Sequence, residues 1–244
     1  NVQSIDFSIF ESEYKMLKNK NSVDTSSKVL NSIDTWKKTI YPKSDGQNKY
    51  IQAVNEYDVI FGLGPAGTGK SYLAVAKAVQ SLKKGLIDKI ILSRPAVEAG
   101  ENLGFLPGDM KDKVDPYLRP IYDALYEMMP FETVEKKIQE GIIEIAPVAF
   151  MRGRTFKNSF IIIDEAQNTS SIQMKMILTR LGYGSKMIIN GDLTQIDIKY
   201  INDSGLSTAK KKLSNLKTIK FINLNKKDVV RHKIVSEIIS AYEK

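Results

Sequence analysis

The chain contains no cysteine and a single histidine, His232. The first absence removes disulfides, thiolate metal sites and cysteine nucleophiles together, and one histidine cannot build an imidazole cluster. Any metal is therefore expected to be a hard ion held by oxygen ligands. No apolar run approaches the roughly 20 residues that a membrane-spanning helix needs. The opening NVQSIDFSIFESEYK lacks the basic start and long apolar core of a secretory signal. A soluble protein of the cytoplasm is the expectation, host cytoplasm if the source is a phage. Arginine is scarce as well. Arg94, Arg119, Arg152, Arg154, Arg180 and Arg231 are the only six among 36 basic residues, so any role that needs a rigid guanidinium fork falls to one of them.

What is present is ordinary for a globular chain: 244 residues, 42% hydrophobic and 26% charged, enough for one large domain or two small ones. The net charge of +8 favours polyanionic partners. A lysine-rich composition explains the same number without any partner, and both readings stand at this point.

Residues 1–45 are polar, with scattered apolar positions that suit one short amphipathic segment and a loose linker. From 46 to 244 a single domain is expected. DVIFGLG, DKIILSR, GIIEIAPV, SFIIIDEA, SKMIINGD and TIKFINL each read as a strand buried on both faces. Between them, SYLAVAKAVQSLKKG carries helical spacing and ends on Gly85, and residues 116–129, 171–181, 205–214 and 228–243 behave similarly. Strands alternating with helices imply a three-layer α/β/α domain around a mainly parallel sheet.

Gly64 to Ser71, GPAGTGKS, matches G-x-x-x-x-G-K-[ST] between a predicted strand and a predicted helix. Gly64, Pro65, Ala66, Gly67, Thr68 and Gly69 form the loop, whose glycines let backbone N–H groups turn inward as an anion nest at a helix N-terminus. Lys70 can reach β and γ phosphates, and the Ser71 hydroxyl can ligate magnesium. By chance the bare pattern occurs about once in a hundred chains of this length, and its setting lowers that further. FIIIDEAQ supplies a partner, because adjacent acids ending an apolar strand are costly unless they face a polar site. Asp164 is placed to hold magnesium and Glu165 to orient or deprotonate water. Gln195, in the loop after NGD, has an amide able to bond a terminal phosphate, and Gln47, 17 residues before Gly64, could pair with adenine.

Together with SRPAVEAGENLGFLPGDMKDKVDPYLRPIYDAL, MRGRTF and GDLTQID, these motifs resemble the PhoH-like ATPase family over roughly Gln47 to His232. That family is similar to the N-terminal RecA-like motor domain of superfamily 1 helicases. The resemblance implies adenine selection by Gln47, phosphate binding by the loop through Ser71 and Tyr72, magnesium and water handling by Asp164 and Glu165, and phosphate sensing by Gln195. It also implies single-stranded RNA or DNA as second ligand. A helicase supplies transition-state arginines from a second motor domain that does not fit in this chain, so the charge is expected from another subunit. A hexameric ring follows, with Arg231 as the first candidate finger and Arg152 and Arg154 behind it. Arg94, after a strand end, is expected to face nucleic-acid phosphates. Ala99 to Asp115 is expected to be a long loop, and Lys111, Lys113 and Arg119, with Phe105 and Tyr117 nearby, provide the basic and aromatic mixture of single-strand binders. The same loop could equally pack a subunit interface.

Two other functions compete with a nucleic-acid-coupled ATPase. A ring that assembles or opens with nucleotide and hydrolyses it slowly would use the same loop and acids. A small-molecule phosphotransferase would share the loop but needs an arginine-rich lid, which six scattered arginines do not offer.

Overall fold

The computed structural model describes residues 31–95, 110–195, 204–231 and 233–242, and of 110–117 only the helical backbone. The described residues open with an antiparallel hairpin, β1 (Ile33–Asp34) and β2 (Thr39–Ile40), followed by α1 (Asp45–Glu56). Then come β3 (Val59–Leu63), α2 (Lys70–Lys83), β4 (Lys89–Arg94), α3 (Met110–Met128), α4 (Phe131–Gln139) and β5 (Ile143–Pro147). The chain continues through β6 (Ser159–Ile163), α5 (Ser171–Leu178), β7 (Lys186–Gly191), α6 (Gly205–Leu213), β8 (Ile219–Asn223) and α7 (Lys233–Tyr242).

β3 to β8 form one six-stranded sheet in the order β5-β4-β6-β7-β3-β8, with every pair parallel. Each of the six apolar runs is thus a strand, but β8, expected to be buried on both faces, lies at the sheet edge and is only partly buried. Their near-continuous hydrophobicity has a simple cause, since alternate residues feed two separate cores. Ile60, Ile90, Leu92, Ile162 and Ile188 meet α1, α2 and α3 through residues such as Tyr50, Ala74, Val75 and Leu125. Phe61, Ile91, Ile161, Ile163 and Ile189 meet Met174 and Ile177 of α5 and Leu206 and Ala209 of α6 on the other side. At about 1.5–3 kcal/mol per fully buried large side chain, the two-sided sheet is the main source of stability.

The departures from the sequence expectation are local. Residues 110–115, expected in a loop, form the first turns of α3, while 96–109 lie outside the described residues. Two helices had no counterpart in the expectation. α1 begins at Ser44, whose hydroxyl accepts the Gln47 N–H and donates to Asp228 at 2.7 Å. α4 carries Glu132 in its first turn and Lys136 and Lys137 in its last, charges that suit the helix dipole. Residues 31–40, expected in a loose polar stretch, send Ile33 and Ile40 into the first core. The helix expected over 228–243 begins only at Lys233, after a 3-10 turn at Lys226–Asp228.

Candidate functional site

Parallel strands raise their C-terminal ends to one edge, where the apolar sheet gives way to polar residues. β3 ends at Leu63, and Gly64 turns the chain with φ +147° while its N–H donates to the Gly191 carbonyl at 3.1 Å. A Cβ on Gly64 would stand 2.4 Å from the Leu224 carbonyl oxygen, so only glycine lets the loop leave the sheet here. Gly67 and Gly69 also have positive φ, which turns the loop around the N-terminus of α2.

A cleft of about 250 Å³ opens there, lined by Ala66, Gly67, Gly69, Lys70, Ser71, Tyr72, Asp164, Glu165, Gly191, Asp192 and Gln195. The predicted phosphate, metal and water residues therefore converge from three strand ends and one helix. Lys70 is buried and curls over the loop, donating to the carbonyls of Gly64 at 2.6 Å and Pro65 at 2.9 Å. Burial pulls its ammonium below the usual lysine range, opposed by the charges of Asp164, Asp192 and Glu165. Ser71 Oγ donates to Asp164 Oδ1 at 2.5 Å, which brings the α2 N-terminus and the end of β6 together. Burial pushes the Asp164 carboxyl above the usual range, partly countered by that hydrogen bond.

Glu165 leaves the strand in the left-handed region, φ 52° and ψ 38°. Its Oε2 accepts from Gln167 Nε2 at 2.6 Å, and its Oε1 lies 3.3 Å from Arg94 Nη2. Gln167, 1% exposed, also accepts the Asp192 N–H at 3.1 Å. Gln167 was missed as a functional residue, and its signal was faint: one more polar residue after Asp164 and Glu165 in a segment that is otherwise buried. Asp192 and the Tyr50–Asn190 pair were missed too. Tyr50 OH donates to Asn190 Oδ1 at 2.7 Å inside the sheet's first core face, and Asp192 Oδ2 is buried without a partner.

Gln47 lies beneath the loop rather than on the cleft wall, buried, with Nε2 donating to Thr68 O at 3.0 Å and Oε1 accepting the Lys43 N–H at 2.7 Å. Arg231 rests on its own chain's loop: Nη2 donates to Ala66 O at 2.7 Å, and the neighbouring Val230 N–H donates to Gly67 O at 2.9 Å. Arg154 is engaged elsewhere, in a two-point pair with Glu144 and over the Phe156 ring. Arg152 and Arg119 are exposed. Lys111 and Lys113 fall on the backbone-only turns of α3. Arg94 faces Glu165, and so stands at the acids of the cleft.

The family model described as PhoH-like protein matches residues 39–243. The chain belongs to the PhoH-like family. A PhoH-like protein of Bacillus subtilis is 58% identical over 207 residues, which is 85% of this chain and 65% of that one. Protein PhoH of Escherichia coli is 40% identical over 205 residues, covering 83% of this chain and 58% of its own length. This PhoH-like chain thus spans less than two thirds of these relatives. Among solved structures, Pif1 helicase from Candida albicans aligns over 81% of this chain and 42% of its own at 16% identity and a TM-score of 0.41, too distant to bear on function. The parallel six-stranded sheet and the G-x-x-x-x-G-K-[ST] loop between β3 and α2 give the PhoH-like chain the three-layer α/β/α fold that the sequence implies. No described helix is long and apolar enough to cross a membrane.

Proposed function

We propose that the chain is a magnesium-dependent ATPase whose turnover is coupled to single-stranded nucleic acid. The Ser71–Asp164 contact carries the nucleotide part of this reading, because a hydroxyl and a carboxylate at one point of a phosphate cleft are the oxygen pair a magnesium nucleotide uses, while the net charge of +8 favours the polyanion. Among the described residues no three Asp, Glu or His side chains gather as a self-contained metal site. An ion there would need further oxygen ligands from phosphates and water, which suits magnesium. Bound between Ser71 and Asp164, it would draw charge from the β and γ phosphates.

The rest of the chemistry falls to side chains of this chain. Backbone N–H groups of the loop and the Lys70 ammonium bind the phosphates. Glu165, oriented by Gln167, accepts the proton of a water that attacks the γ-phosphorus in line with the departing β–γ bridging oxygen. The spreading charge on the γ-phosphate is met by an arginine of a neighbouring subunit, Arg231 first, which in its own chain donates to Ala66 O at the rim of the loop. Gln195 lines the cleft where a γ-phosphate would lie. Adenine selection by Gln47 through its second N–H and lone pair would require the amide, now tied to Thr68 and Lys43 beneath the loop, to turn toward the cleft. The hexameric ring remains part of the proposal and is read out by mass-resolved size exclusion with and without an ATP analogue.

Two variants test the hydrolytic core. Lys70→Ala should lose ATP binding or turnover, whereas Glu165→Gln should bind magnesium ATP as the wild type does and turn it over at least about a hundredfold more slowly. Equal turnover in Glu165→Gln and wild type would remove Glu165 from the reaction.

A further inference from the structure

Glu165 is held from two sides, by Gln167 on Oε2 and by Arg94 on Oε1. Its left-handed backbone, unusual for a residue with a side chain, narrows the positions the carboxylate can take. Arg94 reaches it from the neighbouring strand. Ser93 of β4 pairs with Ile163 of β6, so Arg94 and Asp164 are the next residues along adjacent strands. The guanidinium is thus a counter-ion for both acids that the proposed reaction uses, while about a quarter of the side chain, 24%, still meets solvent.

We propose that Arg94 is a positioning residue that holds Glu165 back in the resting protein, and that a backbone phosphate of single-stranded nucleic acid releases it by taking the same guanidinium. The inference rests on the hydrolytic reading above. A phosphodiester and a carboxylate fit the guanidinium fork in the same way, so the two ligands compete for Arg94. An ion pair this accessible is weak enough to be exchanged and strong enough to bias the position of Glu165 by about fivefold. Linkage then requires reciprocity: whatever frees Arg94 from Glu165 tightens nucleic-acid binding by the same factor. Arg94 is thereby both the contact for a polyanion and the link to the water-activating acid.

The test is steady-state ATP turnover by the whole chain with and without a 20-nucleotide oligo(U) or oligo(dT), for wild type, Arg94→Ala and Arg94→Lys. Arg94→Ala should raise kcat without oligonucleotide by about fivefold, leave KM and the affinity for a magnesium ATP analogue unchanged, and show no further stimulation. Arg94→Lys keeps the charge and should restore part of the restraint and part of the response. The two oligonucleotides distinguish RNA from DNA as the competing phosphate. A lower basal kcat in Arg94→Ala, or stimulation equal to that of wild type, overturns the proposal. A wild type that hydrolyses ATP without responding to either oligonucleotide also overturns it and leaves the hydrolytic reading standing, whereas a wild type without turnover removes both.

Discussion

Replacing Gln167 by leucine should separate the scaffold of the site from its chemistry. The side chain is 1% exposed and makes two bonds, one to Glu165 and one from the Asp192 N–H. Leucine is of similar size and makes neither. Loss of the second bond strands a buried backbone donor, at about 1–3 kcal/mol. The first involves a carboxylate that is 35% exposed, so after allowance for solvent screening it adds about 0.5–1 kcal/mol. The sum, about 1.5–4 kcal/mol, is a large part of a typical total stability of about 5–15 kcal/mol. Urea denaturation at pH 7 would read it as a lower midpoint at constant slope. With its orienting bond gone, Glu165 should also act about tenfold to a hundredfold more slowly in an ATP turnover assay. Gln167→Glu sharpens the test: it keeps an acceptor for Asp192 but sets two carboxylates against each other, so its penalty should shrink on acidification. A Gln167→Leu protein within about 0.5 kcal/mol of wild type, with unchanged turnover, would refute the assigned bonds.

Burial raises the Asp164 carboxyl, so the folded state holds that proton more tightly than the unfolded chain, and stability falls as pH rises through the window above the ordinary carboxylate value. Asp164→Asn should therefore raise the Tm of the nucleotide-free protein, more at pH 7 than at pH 4, while magnesium-dependent nucleotide binding is lost; equal Tm shifts at both pH values would contradict this. Gly62→Ala would put a Cβ 2.5 Å from Asn190 Oδ1 and 2.7 Å from the Tyr50 ring, at a cost of about 1–3 kcal/mol by overpacking. Combining it with Asn190→Ala should cost less than the two single changes added, and simple additivity in denaturation would show that they do not share the space.

The strands were legible because residues facing two cores must be apolar almost without a break, and the phosphate loop was legible because glycine spacing is a steric requirement. α1 was hidden by its composition: DGQNKYIQAVNE is rich in residues that favour turns, and its N-terminus is secured by Asp228 from the far end of the domain, which no local pattern reveals. The short α4 buries only Val134 and so leaves a weak periodic trace. Within the site, Asp164, Glu165 and Gln195 could be found because each lies where a strand runs out. Gln167 and the Tyr50–Asn190 pair could not, since their meaning is in which strands stand side by side. The sequence reading places Arg94 at nucleic acid and Arg231 at a neighbouring subunit, and neither pattern reveals the contacts each makes within its own chain, which arise because β4 adjoins β6 and the segment after β8 crosses the loop that follows β3.

That crossing has a consequence for how the protein comes into being. The loop at 64–71 leaves the ribosome well before its neighbours do, for its outer wall is supplied by Val230 and Arg231, and the adjoining start of α1 is pinned by Asp228. A ribosome must therefore add about 160 more residues before the nucleotide loop has all of its neighbours. Until then a growing chain carries the glycine-rich loop without the enclosure around it, and any ligand of that loop can favour the folded state only once β8 has been laid down beside β3.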